Sequence, residues 1–156
     1  MKKIPYQSIV KKFPAVKVLV VGDAMLDLYI RGDVERISAE APVPIVLEKS
    51  REYFLGGAGN VAANIASLGG RVTLVSLVGD DSEGGILRDL CEKRKIVPRF
   101  GKAEERPTPR KMRALAGHHH MLRIDREATG SISRASEKKL IQAIRSAPRH
   151  DIVVVS

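Results

Sequence analysis

Residues Gly56 to Gly79 read GGAGNVAANIASLGGRVTLVSLVG and hold the densest potential for ligand chemistry in the chain. The pair Gly56-Gly57 forms a turn without side chains, which lets a ligand approach the backbone closely. A helix of small residues follows, carrying Asn60 and Asn64, and its start offers free N–H groups. It stops at Gly69-Gly70, and an apolar strand then runs to Gly79-Asp80-Asp81. Upstream, Asp23 and Asp27 lie at and just past the end of the apolar run Val16–Val21, where open α/β sheets place ligands. A carboxylate there can accept hydrogen bonds from two ligand hydroxyls. Asp23 could equally cap a turn or helix.

A dinucleotide is the first ligand to weigh. Gly57-x-Gly59-x-x-Ala62 fits a degenerate Rossmann fingerprint, and Asp80 falls 23 residues after Gly57. That fingerprint must follow a buried parallel strand directly. The preceding segment, Lys49-Ser50-Arg51-Glu52-Tyr53-Phe54-Leu55, is charged, so the reading fails on context. Further on, Lys111 and Arg113 alternate on one face of an expected strand, with Arg123 across a hairpin. Converging cations of this kind can hold a phosphate, and an exposed charged strand face would have the same pattern. His118-His119-His120 lacks the neighbours for a metal site. On a strand only His118 and His120 share a face, and no second ligand pair completes a tetrahedron. Asp80-Asp81 reads as a helix cap. No Ser/His/Asp nucleophile elbow occurs.

The elements that must carry these groups follow from periodicity. Tyr6–Phe13 is expected to form a short helix, and Val16–Val21 a parallel strand buried on both faces. From Leu28 to Leu55 the pattern alternates and is broken by Pro42 and Pro44, which predicts two or three strands of a separate small sheet. The helix from Gly57 to Leu68, strand Arg71–Val78, helix Ser82–Lys95 and a strand near Ile96–Phe100 come next. Thr108–Ala116 and His119–Arg126 read as a hairpin, Ser136–Ala147 as a helix and Asp151–Val155 as another buried strand. This order predicts a parallel α/β sheet with two excursions into a second sheet. The last strand has no crossover helix after it, so the sequence reads as part of a domain, incomplete at its carboxyl end.

Composition limits the class. The 156 residues are 44% hydrophobic and 29% charged, with a net charge of +9 from 27 Lys and Arg against 18 Asp and Glu. That suits a globular domain, and no apolar run approaches the ~20 residues of a membrane span. Met1-Lys2-Lys3-Ile4-Pro5 is basic without a signal-peptide core behind it. The lone Cys91 cannot form an internal disulfide, which points to a reducing cytoplasm. Ten bases and four acids lie between Arg88 and Arg113, yet aromatics are only 4% with no Trp. That argues against nucleic acid and for a solvated helix end with phosphate-facing strands, and under either reading the positive field steers small anions inward.

Gly56, Gly57, Ala58, Asn60, Ala62, Gly69 and Gly79 match, position by position, the amino-terminal signature of the ribokinase-like (PfkB) carbohydrate kinases, seven positions over 24 residues. Gly22-Asp23-Ala24-Met25-Leu26-Asp27 and Arg36-Ile37-Ser38-Ala39-Glu40-Ala41-Pro42-Val43-Pro44 narrow it. The chain from about Val16 to Ser156 most resembles the heptose-7-phosphate kinase branch, the kinase part of ADP-heptose synthesis enzymes. The resemblance implies an α/β fold with a Rossmann-like three-layer parallel sheet and a small β-sheet lid, its strands at about 28–55 and 108–126. It implies that Asp27 binds the sugar and that Gly56, Gly57 and Asn60 belong to the sugar-contacting turn. The hairpin becomes part of a lid in which Lys111, Arg113 and Arg123 face a sugar phosphate.

The implied reaction uses ATP and Mg2+ to convert D-glycero-β-D-manno-heptose 7-phosphate to the 1,7-bisphosphate, for lipopolysaccharide core synthesis. The implied base is the Asp of a Gly-Ala-Gly-Asp motif, which these 156 residues lack. The resemblance thus implies the sugar-binding part of such a kinase, with no catalytic residue of its own and no metal ligand, and a homodimer through the lid sheet. A non-catalytic sugar-binding or dimerisation piece fits the same residues, as does a kinase of this family for another sugar. The chain departs from the heptose kinases at Gly117, where they usually carry Arg, and at His119 and His120, where they carry Gln.

Overall fold

The computed structural model describes residues 6–156, so the basic start Met1–Pro5 lies outside it. After a short helix, α1 (Tyr6–Val10), and a 3-10 turn at Phe13–Ala15, strand β1 (Lys17–Val21) enters the core. Leu19 and Val20 are fully buried, as a parallel strand covered on both faces requires. Two long strands follow, β2 (Ala24–Ile37) and β3 (Pro44–Gly57), then α2 (Ala58–Ser67), β4 (Arg71–Gly79) and α3 (Ser82–Lys93). The remaining elements are β5 (Val97–Ala103), β6 (Arg110–Ala116), β7 (His119–Arg126), α4 (Arg134–Arg145) and β8 (Ile152–Val155).

The strands form two four-stranded sheets. One has the order β5-β4-β1-β8 and is parallel throughout. Val18, Val20, Val72 and Leu74 share a core cluster with Ala58, Ala62 and Ala63 of α2 and Leu87 and Cys91 of α3. Side chains alternate across a strand, so Leu77 points to the other face, where it meets Gly101, which lies against Lys139 and Leu140 of α4. Helices therefore cover both faces and the layer is three deep. No helix of the described residues is long and apolar enough to cross a membrane.

The second sheet has the order β3-β2-β6-β7, with β2 and β6 parallel and the outer pairs antiparallel. It begins earlier than the alternation from Leu28 predicts. Ala24, Leu26 and Leu28 already alternate inward as buried residues, so β2 starts at Ala24. Asp27 thus sits inside this strand rather than in a loop after β1. Pro44 does not break the sheet, because it opens β3, where no earlier ladder bond is needed.

Candidate functional site

The site forms where β1 hands over to β2. Gly22 N–H donates to the Val75 carbonyl and Ala24 N–H to the Ser76 hydroxyl, at 3.2 and 2.9 Å, so the crossing is pinned to β4. Between them Asp23 is exposed, and its carbonyl accepts from Ala58 N–H at 3.0 Å. The expected cap is therefore made by the Asp23 backbone. Its carboxylate makes no hydrogen bond among the described residues.

Gly56 and Gly57 do not form a free turn. They close β3, paired with Met25 and Ala24. A Cβ on Gly56 would lie 2.6 Å from Asp27 Oδ2, and one on Gly57 would lie 2.3 Å from the Asp23 carbonyl oxygen. Gly57 also has φ of +54°, a conformation that costs any other residue strain. The glycines are thus needed to let the Asp27 carboxylate and the Asp23 backbone close over them.

Asp27 is fixed from the next strand. Its Oδ1 accepts from Arg113 Nη1 at 2.5 Å, with both side chains about one-fifth exposed. Hydrogen bonding to Asp27 holds the Arg113 guanidinium above its ordinary value, against the opposing effect of burial. The same guanidinium lies 5.2 Å from the Tyr29 ring centre, and Tyr29 meets Phe54 edge-on at 5.5 Å. Lys111 is the register partner of both Asp27 and Asp125, and its Nζ lies 3.8 Å from the Asp125 carboxylate. Arg123, opposite Arg113 on β7, pairs with Asp125 at 3.0 Å. One face of the sheet therefore carries a row of alternating charge.

The structure brings Asp23, Asp27, Gly56, Gly57 and Arg113 together, with Lys111 directly opposite Asp27 in register. Arg123 stands two strands from Asp27. Asn60 is exposed one turn into α2 and lines a separate cleft of about 110 Å³ with Phe54, Asn64 and Ser67. Of the paired acids, Asp81 caps α3 through Gly84 N–H at 3.0 Å, whereas Asp80 turns away to Lys102 at 2.6 Å. His118 lies in the turn before β7, so the three histidines do not alternate along one strand.

Residues that pattern alone does not single out complete the surroundings. Tyr29 backs Arg113, and Asp125 holds two lid cations. Glu83, 9% exposed, receives Arg110 and Arg126 at 2.9 and 3.1 Å. Arg106 donates to the Ala128 and Gly130 carbonyls at 2.8 and 2.9 Å, clamping the segment after β7. That segment borders a cleft of about 250 Å³ together with Asp23, Met25 and Pro109. Asp125 could have been found from its place two residues after Arg123. The others depend on contacts between distant segments.

A three-layer α/β body thus meets a second, charged four-stranded sheet at a corner that holds an acid and two glycines. The family model "pfkB family carbohydrate kinase" matches residues 15–152, and the chain belongs to that family. It is 43% identical over 157 residues to the bifunctional protein HldE of Rhodopseudomonas palustris strain BisA53, and 45% identical over 139 residues to that of Actinobacillus succinogenes. These alignments cover 98% and 89% of this chain but 32% and 29% of the relatives, so the chain spans about a third of their length. Among solved structures, the tetrameric inhibited form of phosphofructokinase-2 from Escherichia coli matches with a TM-score of 0.67 and 19% identity. That match covers 90% of this chain and 45% of the other, and carries the fold.

Proposed function

We propose that this chain is the acceptor-binding part of an ATP-dependent sugar phosphate kinase, and that its acceptor is D-glycero-β-D-manno-heptose 7-phosphate, converted to the 1,7-bisphosphate in ADP-heptose synthesis. The observation that carries the reading is the Asp27 carboxylate. Oδ1 is taken by Arg113, while Oδ2 lies over Gly56 in space that a Cβ would fill. A carboxylate so anchored, with one oxygen left, accepts hydrogen bonds from sugar hydroxyls. Asp23 and the backbone at Gly56 and Gly57 line the same corner. Arg113 uses one of its five donors on Asp27, so the rest, with Lys111 and Arg123, suit a phosphate at the far end of the sugar. The lid over these groups limits water at the acceptor hydroxyl.

ATP supplies the phosphoryl group in such a reaction, and Mg2+ offsets its charge. Among the described residues no three His, Cys, Asp or Glu side chains converge on a metal position, and no Gly-Ala-Gly-Asp motif occurs. We place the catalytic base outside Met1–Ser156, in a cytoplasmic enzyme. Titration calorimetry with the sugar phosphate tests the acceptor site. Asp27→Asn should weaken binding about 10- to 100-fold, the equivalent of one or two charge-assisted hydrogen bonds. Lys111→Ala and Arg113→Ala should weaken the phosphorylated sugar far more than the free sugar, and equal losses would sink the phosphate assignment. ATP-dependent turnover by Met1–Ser156 itself would overturn the placement of the base.

A second reading, a sugar-binding piece that works by dimerisation, is favoured by the lid's other face. Leu122 and Ile124 of β7 are 55% and 43% exposed there. A homodimer through the lid sheet would cover them. A concentration-independent monomer by sedimentation would remove this reading.

A further inference from the structure

We infer that Glu83 is the pivot that sets the lid sheet against the α/β body, and so a positioning residue for the acceptor site; this rests on the acceptor reading given above. Glu83 lies in the first turn of α3, on the body, and is 9% exposed. Its Oε1 accepts from Arg110 Nη1 at 2.9 Å and from Arg126 Nη1 at 3.1 Å, while Oε2 accepts from the Ser82 hydroxyl at 2.9 Å. Arg110 opens β6 and Arg126 closes β7, and the two are register partners. One carboxylate oxygen therefore grips both strands of the hairpin at its base. Arg126 Nη2 also lies 3.8 Å from Asp81 at the same helix start.

Two features separate this contact from an ordinary surface ion pair. The carboxylate is buried, so its grip is less screened by water and salt than an exposed pair. In addition, the Nε of Arg110 is buried and makes no hydrogen bond among the described residues. Buried donors are nearly always paired, so this guanidinium is held for its charge on Glu83 rather than for full satisfaction.

The consequence for the acceptor site is geometric. Lys111 directly follows Arg110, and Arg113 stands three residues, or roughly 10 Å, up the strand. A tilt of ~10° at the base would move Arg113 by ~2 Å, and misplacements of ~1 Å can cost up to ~100-fold in function. The hairpin would stay attached without Glu83. β6 remains paired to β2 over seven residues, Leu26 N–H still donates to the Pro109 carbonyl at 2.8 Å, and Thr108 remains bound to Asp81. Loss of Glu83 thus changes the pitch of the lid rather than its fold.

Glu83→Gln, Arg126→Gln and the double variant test this in the 156-residue chain. Three readouts are needed: calorimetry with D-glycero-D-manno-heptose 7-phosphate and with the free heptose, hydrogen exchange, and the urea midpoint. Each single change should weaken the phosphorylated sugar about 5- to 10-fold and the free sugar less than twofold. The double change should weaken it no more than Glu83→Gln alone, because Arg126→Gln removes one of the two bonds that Glu83→Gln already disrupts. Exchange should rise in 110–126 and stay unchanged in 71–79. Unchanged affinity with a lowered urea midpoint would make Glu83 a structural foot only and overturn the inference. If the unaltered chain binds no sugar phosphate, the acceptor reading fails, and exchange then decides the pivot alone: a rise confined to 110–126 supports it and no rise overturns it.

Discussion

Asp27 and Arg113 hold each other in place across two strands of the second sheet. The guanidinium orients the carboxylate and takes one oxygen, and the glycine beneath leaves the other oxygen room. The two glycines have separable roles. Gly57→Ala forces φ of +54° on an L side chain and drives a Cβ to 2.3 Å from a fixed backbone oxygen. It should cost about 2–4 kcal/mol, read from urea unfolding. Gly56→Ala meets a side chain that can swing aside, so its main effect should be on sugar binding. Equal stability losses at the two positions would contradict this division. Glu105 makes a prediction about acid. The Ser136 hydroxyl and nearby backbone amides lower its pKa from the ordinary 4.5 to about 2. The folded form therefore holds the proton less tightly, and its contribution to stability is complete above about pH 4.5 and fades as the pH falls toward 2. The difference in urea midpoint between the native chain and Glu105→Gln should be present at pH 6 and shrink by pH 3. A difference that grows with acid would exclude the linkage.

Among the elements, the start of α3 carries more than its own helix. Asp81 Oδ1 accepts from Gly84 N–H and, at 2.6 Å, from the Thr108 hydroxyl, while Oδ2 accepts from Thr108 N–H. Burial pushes the Asp81 carboxyl up, yet the bonds from Thr108 and Gly84 prevail and hold it below the usual carboxylate range. Thr108, fully buried, also accepts from Gly79 N–H at 2.9 Å. Asp81 and Thr108 together thus end β4, start α3 and aim the chain into β6. Asp81→Ala should cost about 2–4 kcal/mol, a lost cap together with an unpaired buried amide. A loss below 1 kcal/mol in denaturant unfolding would mean that water replaces the carboxylate. Several elements were legible beforehand. β1 showed as an apolar run, α3 as a stripe with basic residues at its end, and β6 with β7 as two alternating runs around Ala116-Gly117. The start of β2 was not, because Gly22-Asp23 reads as a turn and only pairing with β3 and β6 carries the strand back to Ala24.

At the scale of the molecule, two sheets of four strands meet at the β1–β2 crossing, where Asp23, Gly56 and Gly57 lie. Lys111, Arg113 and Arg123 stand farther out on the second sheet. The body is dense around Cys91, which is buried between α3 and the parallel sheet and whose thiol burial pushes up to about 11. At pH 8 the thiolate fraction should fall about 100-fold below that of a free cysteine. Ellman's reagent should therefore label native Cys91 at least 100-fold more slowly than free cysteine, and urea should remove the difference. Immediate stoichiometric labelling of the native chain would show that this core is open. On the lid, by contrast, the described residues of β7 are all exposed, so its order depends on β6 and on the grip of Glu83.

Periodicity and local chemistry were enough to reveal the alternation of strands and helices, the second sheet and the acids and glycines of the corner, while the family came from the resemblance of Gly56–Gly79 to a known signature. Those signals are short-range: an apolar run, a glycine pair before a helix, a period of two or of 3.6. Which face of the lid carries Asp27, that Arg113 rather than a ligand takes one of its oxygens, that Asp80 turns away while Asp81 caps, and that Glu83 joins two strands more than 25 residues downstream were all decided by tertiary structure. Each is a pairing of charges between distant segments. Sequence supplies the charges, and only the register of the strands and the meeting of the two sheets selects their partners.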